Sequence, residues 1–91
     1  MITNLGKFLR ILRIQHGEIL KNMADRLGVS SAFLSGVENG KKKMPVSWFE
    51  HLRELYKLDD HQMEELRKAN LETVSQIELN IRDAPQPQRE L

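Results

Sequence analysis

Three serines, an asparagine and three consecutive lysines fall within one short stretch, ADRLGVSSAFLSGVENGKKK, residues 24–43. The hydroxyls of Ser30, Ser31 and Ser35 each donate or accept hydrogen bonds, and Asn39 adds an amide. Lys41, Lys42 and Lys43 concentrate positive charge at the exit. Such a set suits recognition of a polar, negatively charged partner better than bond making. Clustered serines could in principle be nucleophiles, but no His, Ser and carboxylate fall into a relay. Glu64 and Glu65 are adjacent and so do not share a helix face, and no glycine-rich loop could cradle a phosphate. His16, His51 and His61 are scattered without metal-ligand spacing. The residues therefore predict a protein that is not an enzyme and needs neither metal nor cofactor.

The composition sets the frame for these residues. A chain of 91 residues, 40% apolar and 30% charged, suffices for one soluble globular domain. With no cysteine, neither a disulfide nor a thiolate metal site can form, and a reducing, cytoplasmic setting is expected. No apolar run approaches the roughly 20 residues of a membrane span, and MITNLGKFLR does not have the layout of a signal peptide. The net charge of +1 hides an asymmetry. Residues 1–43 hold eight Lys/Arg against three Asp/Glu, a local +5, whereas residues 44–91 hold six against ten, a local −4. One half is suited to a polyanion, the other to a different task.

Helical periodicity supplies the elements that position the stretch. Leu5, Phe8, Leu9 and Leu12 fall on one helix face, with Thr3 or Asn4 as cap and Gly17 at the end. Leu20, Met23, Ala24 and Leu27 make a two-turn helix that stops at Gly28, a residue free to enter the left-handed conformation. Ser30 or Ser31 can cap a third helix whose inner face is Phe33, Leu34 and Val37, closed by Asn39-Gly40. Pro45 suits the entrance of a fourth helix capped by Ser47, with Trp48, Phe49, Leu52, Leu55 and Tyr56 apolar and an end near Lys57. Asp59 or Asp60 caps a fifth, with Met63, Leu66 and Ala69 or Asn70 facing inward. Five short helices are thus expected over residues 1–70.

Residues 71–91 read differently. In QIELNIR, residues 76–82, Ile77, Leu79 and Ile81 alternate with polar neighbours, the period of a half-buried strand, and Thr73, Val74 and Ser75 before it are poor helix formers. The competing reading extends the fifth helix through Val74 and Ile77 to Ile81. The strict alternation favours the strand. DAPQPQREL, proline-rich and polar, is expected to be a mobile tail.

Residues 20–39 have helix-turn-helix spacing. Ala24 sits where two helices approach most closely, and Gly28 supplies the corner that projects the second helix with its N-terminal end leading, the geometry that enters a major groove. With LGKFLRILR before it, MADRLGVSSAFLSGVENGKKKMP across it and WFEHLRELYKL after it, the chain resembles the phage-repressor-like helix-turn-helix proteins, the Cro/XRE group, over about residues 5–70. The resemblance implies an all-α, compact five-helix lambda-repressor-like domain that binds double-stranded operator DNA as a dimer and regulates transcription.

Carried over position by position, the resemblance puts base contacts on Ser30, Ser31, Ala32, Ser35 and Gly36. It puts phosphate contacts on Asn39, Lys41, Lys42 and Lys43, and it pairs Arg13 with Glu38 in a salt bridge. The start of the second helix, near Leu20 and Lys21, should also hold phosphate, because a helix N-terminus attracts anions. Two departures stand out. Leu20 occupies a position that is Gln in many relatives, and the reading surface offers no Arg, Gln or Asn to span two acceptors on a base edge. Phosphate contacts, DNA shape and dimer spacing would have to supply much of the specificity.

A homodimer is expected, its interface formed by Ile77, Leu79 and Ile81 on a strand paired across the two-fold axis. A competing reading is an antitoxin-like module that represses its own promoter and adds its C-terminal strand to the sheet of a toxin-like protein partner. A purely structural helical domain ranks third. No membrane partner is expected.

Overall fold

A computed structural model describes residues 2–83, with side chains as far as residue 75. Thr3 starts the first helix: its backbone is extended and its hydroxyl accepts from the Gly6 N–H at 3.1 Å, satisfying one of the first-turn donors. Helix α1 (Asn4–Gln15) buries Leu5, Leu9 and Leu12 and gives way to a turn at Gly17. Helix α2 (Leu20–Leu27) buries Met23, Ala24 and Leu27. Helix α3 (Ser31–Glu38) is capped by Ser30, whose Oγ accepts from the Phe33 N–H at 3.0 Å.

Helix α4 (Trp48–Tyr56) begins without the expected hydroxyl cap. Ser47 already has helical backbone angles and its side chain makes no cap bond. The Trp48 and Phe49 N–H groups reach back instead to the Pro45 and Val46 carbonyls, at 3.0 and 3.2 Å. The helix stops at Lys57, a non-glycine residue in the left-handed region at φ 52°. Helix α5 (Asp60–Asp83) opens on a reciprocal pair: Asp59 Oδ1 accepts from the Gln62 N–H at 2.8 Å, and the Asp59 N–H donates to Gln62 Oε1 at 3.0 Å.

One core joins all five helices. Leu9, Met23, Leu34, Leu52 and Leu66, one from each helix, are buried together, with Trp48, Phe33 and Tyr56 around them. α1 packs on α3 and α5, and α2 packs on α3 and α4. Among the described residues no helix is long and apolar enough to cross a membrane.

The C-terminal strand is not found. α5 runs without a break through residues 76–82, across the expected boundary near residue 70, and no strand occurs among the described residues. No Gly or Pro interrupts residues 60–83, and the first proline beyond is Pro85. A helix satisfies its own backbone groups, whereas a lone strand in this chain would leave both edges unpaired. Thr73, expected to weaken the helix, is buried, and its hydroxyl accepts from the Leu5 N–H at 3.4 Å. Tertiary contact thus outweighs propensity at that residue.

A pattern of period two has no meaning on a helix of about 3.6 residues per turn. The strand-built joint is therefore withdrawn, and so is the addition of a strand to a partner's sheet. The side chains of Ile77, Leu79 and Ile81, expected to form the dimer interface, lie outside the described residues, as does the tail from residue 84.

Candidate nucleic-acid interface

The corner between α2 and α3 is made by backbone conformation. Gly28 is left-handed at φ 74°, and its N–H donates to the carbonyls of Ala24 and Asp25. The Val29 N–H follows with a bond to the Ala24 carbonyl at 3.0 Å. A Cβ on Gly28 would meet no atom within 4 Å, so glycine is wanted there for its φ and not for space. Ala24 is buried where α2 meets the core.

Beyond the corner, α3 has two unlike sides. Leu34, Val37 and Glu38 are buried, while Ser30 and Ala32 are exposed and Ser31, Ser35 and Gly36 half-buried. The exposed strip is short and carries hydroxyls, a methyl group and backbone. Ser30 spends an acceptor lone pair on its capping bond but keeps its O–H proton to donate. Ser35 Oγ accepts from Asn39 Nδ2 at 3.3 Å, and the same nitrogen donates to the Ser35 carbonyl at 2.9 Å. The Asn39 amide nitrogen is thereby occupied in closing the end of α3.

The lysine loop folds back over that end. The N–H groups of Lys41 and Lys42 both donate to the Gly36 carbonyl, at 2.8 and 3.2 Å. The aliphatic stem of Lys42 lies over Gly36, where an added Cβ would sit 3.4 Å from Lys42 Cγ. Lys41, Lys42 and Lys43 are all exposed, immediately beyond the outer strip of α3.

The start of α2 contributes less charge than expected. Lys21 is exposed and pairs with Asp25, one turn on, at 3.1 Å. Ile19 sits at the cap with no oxygen to offer, and Asn22 Oδ1 accepts from its N–H at 2.9 Å. The first-turn N–H groups of half-buried Leu20 and of Lys21 have no acceptor within the helix, as at any helix start.

Behind α3, Arg13 and the cap residue Thr3 tie its end to α1. Arg13 donates to both oxygens of Glu38, with Nη2 to Oε1 at 3.4 Å, and both side chains are buried. Arg13 Nη1 also lies 3.8 Å from Met23 Sδ. The Glu38 carbonyl, one of the acceptors left over at the end of α3, receives the Thr3 N–H at 3.0 Å and the Thr3 hydroxyl at 2.9 Å. Gly6 makes this approach possible, since a Cβ there would stand 2.2 Å from the Glu38 carbonyl oxygen. Sequence reasoning missed Gly6, although a glycine inside a helical pattern is itself a sign of close packing.

It also missed a polar cluster on the far side of α2. Glu18, in the α1–α2 connection, accepts from the Tyr56 hydroxyl at 2.6 Å and pairs with Arg26. Arg26 lies 5.1 Å above the Tyr56 ring and donates to the Leu55 carbonyl at 3.3 Å. His16 meets the same ring edge-on, with centroids 4.9 Å apart. Burial alone would raise the Glu18 carboxyl, but the bonds from Tyr56 and Arg26 and the Arg26 charge hold it below its usual range. Burial and then the Glu18 carboxylate push the Tyr56 phenol well above its usual range. The cluster ties the connection before α2, the end of α2 and the end of α4 together. Nothing in the local spacing of Glu18, Arg26 and Tyr56 marks them as partners.

A family model described as a helix-turn-helix domain matches residues 4–66, a span that contains α2, α3, the corner between them and the lysine loop. No curated protein and no solved structure matches the chain.

Proposed function

The chain belongs to the helix-turn-helix domain family, and from that membership we propose that it is a DNA-binding transcriptional regulator, a repressor that works as a homodimer and reads the major groove with residues 30–38. The reading rests on one observation: the exposed strip of α3 leads directly into three exposed lysines, while the opposite side of the helix is locked into the core. A helix presented this way can lay its leading end in a groove while the loop behind it meets the backbone.

In this reading Ser30, Ser31 and Ser35 make single hydrogen bonds to base edges, Ala32 offers a methyl contact, and Gly36 brings backbone close. Lys41, Lys42 and Lys43 neutralise phosphates, and the N–H groups of Leu20 and Lys21 meet a phosphate at the start of α2. Asn39 stands beside these lysines as a further phosphate contact, with its amide nitrogen closing the end of α3. Single hydroxyls discriminate bases weakly, so affinity depends mainly on charge, and two α3 helices about one DNA turn apart restore the selectivity that one lacks.

Binding-site selection from random duplexes, followed by mobility shifts across a salt series, tests the proposal. The expected outcome is a two-fold-related site with modest base preference and steep salt dependence. No retarded complex at low salt overturns it.

A further inference from the structure

A groove of about 370 Å³ runs between α1 and α5, on residues that make no contribution to the α3 surface. Phe8, Ile11 and Ala69 supply its apolar lining, and Lys7, Glu65, Lys68 and Glu72 its charged lining. Ile11 is 54% exposed, and Leu71, one turn from Lys68 on α5, is 68% exposed. Large apolar side chains thus stand in water on both helices that flank the groove, and neither belongs to the buried core.

We infer that this groove is the surface on which a second copy of the chain docks, which deepens the homodimer reading above and rests on it. The charge pattern selects the occupant. Two ammonium and two carboxylate groups surround the apolar centre and sum to zero, so a polyanion or a polycation meets like charge at half of the rim. A two-fold partner meets its own pattern reversed. Glu65, Lys68 and Glu72 alternate in sign along one stripe of α5. Two antiparallel copies that set Lys68 of each against Glu72 of the other form two opposite-charge pairs related by the two-fold axis. Ile11 and Leu71 lose their water in the same contact.

Sedimentation equilibrium on the full chain tests this. The unaltered chain is expected to be dimeric, and Ile11→Lys to weaken self-association at least tenfold. A Lys7→Glu/Lys68→Glu chain, with an all-acidic rim, and a Glu65→Lys/Glu72→Lys chain, with an all-basic rim, are each expected to be monomeric alone and to pair when mixed. Dimers that persist in either exchanged chain, or a mixture that stays monomeric although both chains show native circular dichroism, overturn the proposal. So does an unaltered chain that is monomeric at every concentration. Lys68→Ala changes only one exposed side chain and covers the case in which an exchanged chain does not fold. It loosens self-association several-fold or the pairing is wrong. Mobility shifts on the same samples separate the two readings. A dimer that retards no DNA removes the function and leaves the groove, whereas a monomer that retards DNA removes the groove alone.

Discussion

On its inner side α3 is held by Leu34, Val37 and the Glu38–Arg13 pair, all buried, with the Glu38 carbonyl taking two bonds from Thr3. On its outer side the same eight-residue helix shows water Ala32 and a half-buried row of small residues, flanked by the exposed Ser30 cap before it and three lysines after it. The two sides are one helix diameter apart and obey different rules. Inner changes leave charges or cavities where water cannot enter, so they register as lost stability. Outer changes remove groups that water already solvates, so they register in what the helix binds. A short helix can vary its reading face only because the opposite face is fixed by something other than its length.

The largest expected effect is on the inner side. Glu38→Ala leaves the Arg13 guanidinium buried without its partner and should cost about 3–5 kcal/mol, seen as a fall in the thermal midpoint. A double variant, Arg13→Met with Glu38→Leu, should recover much of that loss. If Glu38→Ala melts like the parent and only its DNA affinity falls, the division between the two sides is wrong.

Gly6→Ala comes next. The added methyl must push α1 away from a backbone oxygen that cannot yield, for a loss of about 1–3 kcal/mol in denaturant unfolding. A neutral result would mean that α1 and α3 can slide past each other.

A smaller effect sharpens the boundary on the α2 side. The Glu18 carboxyl lies below its ordinary range when folded, so its stabilising contribution is present in full above the unfolded value of about 4.3. That contribution disappears as pH falls through the lower folded value. Melting curves of the parent and Glu18→Gln should therefore differ near neutrality and converge in acid. Curves that stay parallel to the acid limit would show that Tyr56 and Arg26 do not favour the ionised form.

The smallest change in folding belongs to the outer side. Lys42→Ala should alter stability by no more than about 0.5 kcal/mol. It should weaken binding similarly on all duplexes and lower the salt slope by about one. An unchanged slope would remove the loop from the phosphate-contacting set.

What the sequence disclosed follows the same inner and outer division. The starts of α1 and α3 were legible because Thr3 and Ser30 act on N–H groups three residues away, and the corner was legible because one glycine needs only its own φ. Lys57 could be read as an end because apolar periodicity stops there. Residues 76–82 misled because alternating apolar and polar residues fit a strand locally, while the buried hydroxyl of Thr73 that supports the helix answers to a residue 68 positions earlier. The Glu18–Arg26–Tyr56 cluster was invisible for a related reason, and Gly6 signalled a close approach without showing to what. Their partners are set by how helices cross, and no spacing within one helix encodes that.

The bond from Leu5 to Thr73 has a bearing on how the molecule assembles. The Leu5 N–H in the opening turn of the first helix finds its acceptor on the last helix, so that bond forms only once the two have packed. Cooperativity in a domain this small then comes from its two ends meeting, and melting followed by tryptophan fluorescence or by helical ellipticity should trace the same curve.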